Sequence, residues 1–253
     1  MFHAKEYVKA ESLEQAYELN QKRNNVLIGG MMWLKMGNGN RNAVIDLSGL
    51  GLDQIEETEE EFRIGCMCSL RQLELHEGLN RYFDGVFREC TRWIVGTQFR
   101  NGATVGGSIF GRFGFSDILT CMMVLDTYVE LYKGGTVSLE EFAQMKYSRD
   151  ILVRIIIKKD GRKAAYVSQR RSKTDFPLIA VAAAKKEDMW YISVGARPSK
   201  AALVSRPVQT DQAKEAVSLF SFGSNLRGSA DYRKSLAEIY VRRLMEQLSG
   251  EEA

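Results

Sequence analysis

The glycines of this 253-residue chain are concentrated in its first half, and that concentration limits the folds open to it. Fifteen of the 22 glycines lie at or before Gly114, whereas all three prolines come after residue 176. Two segments stand out: residues 27–33, with Gly29-Gly30, and residues 100–109, with Gly106-Gly107. Glycine allows tight backbone turns and close approach by another backbone or a ligand. We therefore expect the first half to fold around two tight loops.

The charge balance changes along the chain, close to residue 146. Residues 1–145 contain 14 basic and 20 acidic side chains, whereas residues 146–253 contain 21 basic and 12 acidic ones. Together with the glycine distribution, this shift predicts one domain over residues 1–146 and a second over residues 147–253. The basic charges of the second half are scattered, without interleaved aromatic residues or a nucleic-acid motif. We therefore expect no nucleic-acid partner.

Composition restricts the location and chemistry of the protein. The longest apolar run, residues 178–184, is far shorter than the ~20 residues that cross a bilayer, and the N-terminus has no apolar signal core. We expect a cytoplasmic protein without a membrane span, whose four cysteines are reduced thiols. The Cys66-x-Cys68 spacing is tighter than that of a metal-binding pair, and His3 and His76 are the only imidazoles. We expect no metal site and no catalytic side chain.

Hydrophobic periodicity predicts a mixed α+β chain. Apolar alternation or short apolar runs predict strands at residues 26–28, 43–47, 127–132, 151–158, 163–169, 178–184 and 189–194. The last four are expected to form the antiparallel sheet of the second domain. Serine caps predict helices that begin at Ser12, Ser69, Ser138 and Ser229. Asp117 and Asp211 are also predicted to open helices, and Gly250 to end the last one.

The two glycine segments are the candidate ligand-binding elements. Paired glycines allow several backbone N–H groups to converge on an anion such as a pyrophosphate. Asp117 could accept hydrogen bonds from a sugar, and Trp33 or Phe110 could lie against a ring system. Glycine pairs also mark hairpins and bulges that bind nothing, so spacing alone leaves both interpretations open. The P-loop and Rossmann patterns do not occur in the sequence.

Three motifs follow one another along the chain. They are Ile28-Gly29-Gly30, then residues 100–109 (RNGATVGGSI) with Ser116-Asp117, and then residues 226–233 (LRGSADYR). Together they resemble the FAD-binding medium subunit of the molybdenum hydroxylases, the family of xanthine dehydrogenase and carbon monoxide dehydrogenase. The resemblance spans nearly the whole chain.

The resemblance implies an α+β fold of the para-cresol methylhydroxylase (PCMH) type. Two small α+β subdomains, about residues 1–54 and 55–146, would bind FAD. A C-terminal antiparallel sheet-and-helix domain over residues 147–253 would follow, similar to the C-terminal domain of CO dehydrogenase flavoproteins.

The resemblance also implies the residues that hold FAD. The pyrophosphate and ribityl region would contact Leu27, Ile28, Gly29, Gly30, Met31, Met32 and Trp33. The second phosphate loop would consist of Thr104, Gly106, Gly107 and Ser108, next to Phe110. Ser116 and Asp117 would reach the sugar, and Ile151 and Leu152 would pack on the flavin edge.

The function implied by the resemblance is electron relay. FAD would take electrons from [2Fe–2S] clusters on a small partner subunit and pass them to NAD or another acceptor. A large partner subunit would carry molybdopterin and the hydroxylation site.

Three departures from the family pattern leave other functions open. Ser108 replaces a usual Asn, Met31 replaces a usual Thr, and residues 111–115 lack the usual Pro. One alternative is a non-catalytic assembly module that has lost FAD. Another is a self-contained flavin oxidoreductase, similar to the cell-wall precursor reductases, although no candidate proton donor is found in the second half.

Overall fold

The first subdomain is built on a parallel three-stranded sheet. The computed structural model describes residues 1–207 and 213–250, so the helix start predicted at Asp211 lies outside the described residues. Strands β1 (His3–Lys9), β2 (Val26–Ile28) and β3 (Asn40–Asp46) pair in the order β1-β3-β2. Helix α1 (Leu13–Gln21) connects β1 to β2, as a parallel connection requires.

The second subdomain is an antiparallel five-stranded sheet with short helices. Its strands are β4 (Ile55–Glu57), β5 (Glu61–Gly65), β6 (Thr127–Leu131), β7 (Gly135–Ser138) and β8 (Leu152–Lys158), in the order β4-β5-β8-β6-β7. Between β5 and β6 lie α2 (Leu70–Leu75), α3 (Glu77–Tyr82), α4 (Val86–Thr91), α5 (Thr97–Gly102), α6 (Val105–Phe110) and α7 (Asp117–Met122). Helix α8 (Leu139–Gln144) follows β7. Most buried residues of the larger hydrophobic core belong to this subdomain, among them Phe62, Phe83, Phe87 and Ile155.

Strand β8 lies in the middle of this second sheet, not in the C-terminal sheet where the sequence placed it. Its apolar face is buried, and its two cations find carboxylates on the neighbouring strands: Arg154 pairs with Glu130 of β6, and Lys158 with Glu61 of β5. Such cross-strand pairs stabilise this register. Sheet membership therefore favours a domain boundary between Lys158 and residue 163 over the predicted one between residues 146 and 147.

The C-terminal domain is a second antiparallel sheet covered by helices. Strands β9 (Lys163–Gln169), β10 (Ile179–Lys186), β11 (Met189–Gly195) and β12 (Ala202–Arg206) pair in the order β12-β11-β10-β9. Helices α9 (Ala213–Ser218) and α10 (Ala230–Ser249) pack on one face and bury a separate apolar core. The α+β fold class predicted from the sequence is confirmed. None of the helices in the two described segments is long and apolar enough to cross a bilayer.

The predicted helix starts agree with the structure at four positions and differ at one. The hydroxyls of Ser12, Ser69, Ser138 and Ser229 each accept a backbone N–H bond at a helix N-terminus. At α7, however, the capping residue is Ser116, whose hydroxyl accepts from the N–H of Leu119 at 3.1 Å. Asp117 is the first residue inside that helix and is buried. Its carboxylate is therefore free for another role.

Candidate functional site

Two adjoining cavities meet beside the loop that follows β2. The larger has a volume of about 670 Å³ and the smaller about 580 Å³. Both are lined by Leu27, Ile28, Gly29, Thr104, Gly107 and Phe110. The larger adds Gly30, Met31, Met32, Trp33, Ser108, Ser116 and Asp117, and the smaller adds Gly106, Ile151 and Leu152. Thus the fold brings all sixteen predicted site residues to these two cavities.

The loop after β2 lines the larger cavity and contains unpaired backbone donors. No acceptor in the described part of the chain forms a hydrogen bond with the N–H groups of Met31, Met32 or Trp33. Met31 has a φ of 56°, in the left-handed region that few side-chain-bearing residues adopt. Successive N–H groups next to a left-handed residue form a concave anion-binding surface. Three unpaired N–H groups at and after a left-handed residue make this loop a candidate phosphate site.

The two glycine loops pack directly against each other. A Cβ atom on Gly30 would lie 1.4 Å from the carbonyl oxygen of Gly102, and one on Gly29 would lie 2.4 Å from Oγ1 of Thr104. Neither distance is compatible with a side chain. The first glycine pair is therefore required by contact between the loops, and that contact holds the unpaired N–H groups in place.

The second glycine loop uses its N–H groups within the protein. Gly106 donates to the carbonyl oxygen of Cys66 at 2.9 Å, and Gly107 donates to Oγ1 of Thr104 at 3.1 Å. Ser108 donates from both its N–H and its hydroxyl to the carbonyl oxygen of Thr104, at 3.1 Å each. This segment is the capped start of α6. Its expected role as a second set of free phosphate donors is therefore not evident in the hydrogen bonding.

An aromatic cluster forms one wall of the larger cavity. The ring of Trp33 stacks on Phe176 with centroids 5.3 Å apart, and Phe115 contacts both rings at 5.8 and 4.6 Å. Phe99 meets the edge of Trp33 at 6.0 Å. Trp33 remains 44% exposed, so part of its surface is available to a ligand. Aromatic walls of this kind favour a planar ring system.

Asp117 joins the two domains at the cavity wall. Its Oδ1 accepts hydrogen bonds from the hydroxyl of Tyr166 and from Nη2 of Arg170, in and just after strand β9. The side chains of Asp117 and Arg170 are only 5% and 7% exposed. Burial raises the pKa of the Asp117 carboxyl group, and the Arg170 guanidinium opposes that rise. The pair is thus a buried interdomain ion pair next to the cavity.

The smaller cavity lies between the two subdomains of the first domain. The guanidinium of Arg149 donates to the carbonyl oxygens of Asn20 and Lys22, at the C-terminal end of α1, at 2.5 and 2.9 Å. Ile151 and Leu152 follow this contact and form an apolar wall. The segment of residues 147–150 therefore borders the cavity, and its contact with α1 positions these two side chains.

Sequence reasoning missed the cavity residues of the second half. Tyr166, Arg170 and Phe176 line or support the larger cavity, yet they lie 49 to 59 residues after Asp117. A buried arginine next to a strand end indicates a functional role only once its partner is known. For these residues, no pattern in the sequence was available to identify them.

The residues at the two cavities fit a dinucleotide. One loop offers unpaired N–H donors for phosphate, the larger cavity has an aromatic wall, and both cavities fall within the ~300–1,000 Å³ typical of ligand sites. The four cysteines are buried, unpaired thiols, and Cys66 lines the smaller cavity. Burial raises the pKa of Cys66 to about 12 and that of Cys68 to about 11, which keeps both thiols protonated.

Comparison with known proteins agrees with this geometry. Residues 2–159 match the family described as "FAD binding domain in molybdopterin dehydrogenase". The uncharacterized protein YgfM of Escherichia coli (strain K12) is 26% identical over 260 residues, which cover 98% of each chain.

Solved structures share the fold over the entire chain. Quinoline 2-oxidoreductase from Pseudomonas putida 86 superposes with a TM-score of 0.86 at 19% identity and 99% coverage of both chains. Reconstituted CO dehydrogenase from Oligotropha carboxidovorans gives 0.86 at 20% identity and 100% coverage of both. The family match includes β8, and thus ends close to the boundary that strand pairing favours. The chain belongs to the family of FAD-binding domains of molybdopterin dehydrogenases, and FAD is its cofactor.

Proposed function

We propose that this chain is the FAD-binding subunit of a molybdenum hydroxylase complex, resembling xanthine dehydrogenase in its use of FAD. It relays electrons from [2Fe–2S] clusters of a small partner subunit to NAD or another acceptor, while a large partner subunit carries molybdopterin. The observation that carries this proposal is the loop of residues 29–33, whose unpaired N–H groups border two cavities of ligand size.

The cavities differ in ways that favour one orientation of FAD. The pyrophosphate binds at the loop of residues 29–33. The larger cavity, with Trp33, Asp117 and Arg170, suits the flavin, which is the larger ring system and has polar edges. The smaller cavity, with Ile151 and Leu152, then holds the adenine. This assignment differs from the expectation that Ile151 and Leu152 pack on the flavin edge.

When bound, FAD supplies all of the redox chemistry. The residues of this chain bind and orient the cofactor and exclude water. Backbone N–H groups of residues 31–33 would donate hydrogen bonds to the phosphates and stabilise their negative charge. The aromatic wall of Trp33 and Phe176 restricts the ring. No side chain of the site is required to transfer a proton.

Spectroscopy of the purified chain tests the proposal. Added FAD should bind and show bands near ~450 nm, and NADH without oxygen should bleach them if NAD is the acceptor. Bound flavin that NADH does not bleach would point to another acceptor or to a need for the partner subunits. Absence of FAD uptake would contradict the proposal.

A second candidate is an assembly module that has lost FAD. The observation that favours it is Ser108, which lines the larger cavity but whose hydroxyl donates to the carbonyl oxygen of Thr104, the cap of its own helix. In that case the chain would bind its partner subunits but no flavin. The same titration separates the two functions.

We also propose a cytoplasmic location. All four cysteines are unpaired thiols, and a reducing compartment keeps thiols in that state. Export of the chain to an oxidising compartment would contradict this location. Cell fractionation followed by detection of the chain is the measurement that checks it.

A further inference from the structure

The two carboxylate oxygens of Asp117 differ in the hydrogen bonds that they accept. Both hydrogen bonds that it receives from side chains, from Tyr166 and from Arg170, go to Oδ1. Its other oxygen, Oδ2, receives no hydrogen bond from another side chain in the described ranges, and Asp117 lines the larger cavity. A carboxylate oxygen at a cavity wall can accept a hydrogen bond from a ligand or from water. Oδ2 is thus the acceptor available to a cofactor hydroxyl.

The two donors are themselves held by the C-terminal domain. Tyr166 lies within β9, and Arg170 follows the last residue of that strand. Arg170 also donates through Nη1 to the carbonyl oxygen of Asp175. The arginine is therefore fixed at both ends of its guanidinium. The rotation of the Asp117 carboxylate is set by a domain other than its own.

We propose that Tyr166 and Arg170 are positioning residues for FAD: by holding Oδ1 of Asp117 they direct Oδ2 into the larger cavity, and cofactor affinity therefore depends on the docked C-terminal sheet. This inference rests on the proposed function, because it assumes FAD in that cavity. Neither residue is required to touch the cofactor. Their effect is transmitted through one carboxylate.

Titration of the full-length chain with FAD, followed by flavin absorbance and near-ultraviolet circular dichroism, tests the proposal. Tyr166→Phe removes one hydrogen bond and keeps the ring, so it should raise the Kd for FAD about tenfold. Arg170→Lys cannot bridge both acceptors and should raise the Kd at least as much. Both variants should alter the circular dichroism of the bound flavin, which a change in stability alone would not do.

Strand β9 supplies a matched control at its other end. Arg162 precedes the strand, its side chain is also 7% exposed, and it pairs with Asp160 at 2.7 Å, but it does not line either cavity of the candidate site. Arg162→Lys should lower the melting temperature as much as Arg170→Lys while leaving the Kd within about twofold. Equal Kd values for all three variants and the wild-type chain would overturn the proposal.

A double-mutant cycle separates action through Asp117 from direct contact. In an Asp117→Asn background, Tyr166→Phe should have little further effect on the Kd, because the group it orients has already changed. Effects of the two substitutions that simply add would overturn the positioning role. If the wild-type chain binds no FAD, the proposed function itself fails, and that result is visible before any variant is made.

Discussion

The two glycine loops have similar compositions but different physical roles. In the loop of residues 29–33, the glycines permit contact with the neighbouring loop, and the N–H groups that follow them remain unpaired. In residues 105–108, the N–H groups donate to the carbonyl oxygens of Cys68, Cys66 and Thr104 and to Oγ1 of Thr104. A pair of glycines therefore does not identify a phosphate site. Unpaired N–H donors are a stronger indication of such a site, and they follow the glycine pair in only one of these two loops.

The largest expected effect comes from Gly30→Ala. The new Cβ would lie 1.4 Å from the backbone oxygen of Gly102, so the two loops must separate. We expect a loss of about 3 kcal/mol or more in the free energy of unfolding, and FAD affinity reduced more than a hundredfold. Urea denaturation and FAD titration measure the two effects. Normal affinity in this variant would show that the contact between loops does not shape the site.

Gly106→Ala tests the other loop. Its Cβ would lie 2.5 Å from the carbonyl oxygen of Cys66, so α6 must shift away from the neighbouring backbone. We expect a loss of about 1–3 kcal/mol in stability, partly offset by the better helix propensity of alanine. FAD affinity of the folded protein should change less than in Gly30→Ala. A larger loss of affinity than of stability would mean that this loop binds phosphate after all.

Met31→Gly tests whether the backbone N–H of Met31, and not its side chain, contributes to FAD binding. Glycine adopts a φ of 56° without steric cost, which should offset its greater freedom in the unfolded chain and change stability by no more than about 1 kcal/mol. FAD affinity should stay within about threefold, because only the backbone N–H of Met31 is used. Met32→Gly is the control, since it removes a side chain packed on the core and should destabilise the protein. Loss of FAD binding in Met31→Gly alone would assign a role to the Met31 side chain.

The smallest effect is expected for Ser108→Ala. Its hydroxyl is bonded within α6, so removing it should cost at most about 1 kcal/mol of stability and leave the Kd for FAD within about twofold. Isothermal titration of the two proteins makes the comparison. A tenfold weaker Kd would show that Ser108 turns toward the cofactor on binding and that the second loop contributes directly.

Much of the local structure could be predicted from the sequence. Strands 26–28 and 163–169 agree with β2 and β9 residue for residue, and the serine caps at Ser12 and Ser69 form the expected bonds. Strands β1, β4, β5 and β12 were not predicted, because they are short or largely polar and carry little apolar periodicity. The sheet to which a strand belongs was harder to predict than the strand itself, as the wrong assignment of β8 shows.

Residues could be assigned to the candidate site from the sequence only where they belong to a recognisable motif. All sixteen candidates line the cavities, but the roles of Asp117 and Ser108 depend on contacts that no motif contains. Asp117 was expected at a helix cap and is instead held by Tyr166 and Arg170, 49 and 53 residues away.

The sequence by itself determined the features that act over a few residues. Caps, turns, strand alternation and the two glycine pairs follow from hydrogen bonds and steric limits within about four positions. Tertiary structure decided which strands share a sheet, which N–H groups remain free and which arginine holds Asp117. These outcomes depend on the burial and pairing of groups far apart in the chain, and such contacts form only when whole surfaces pack together.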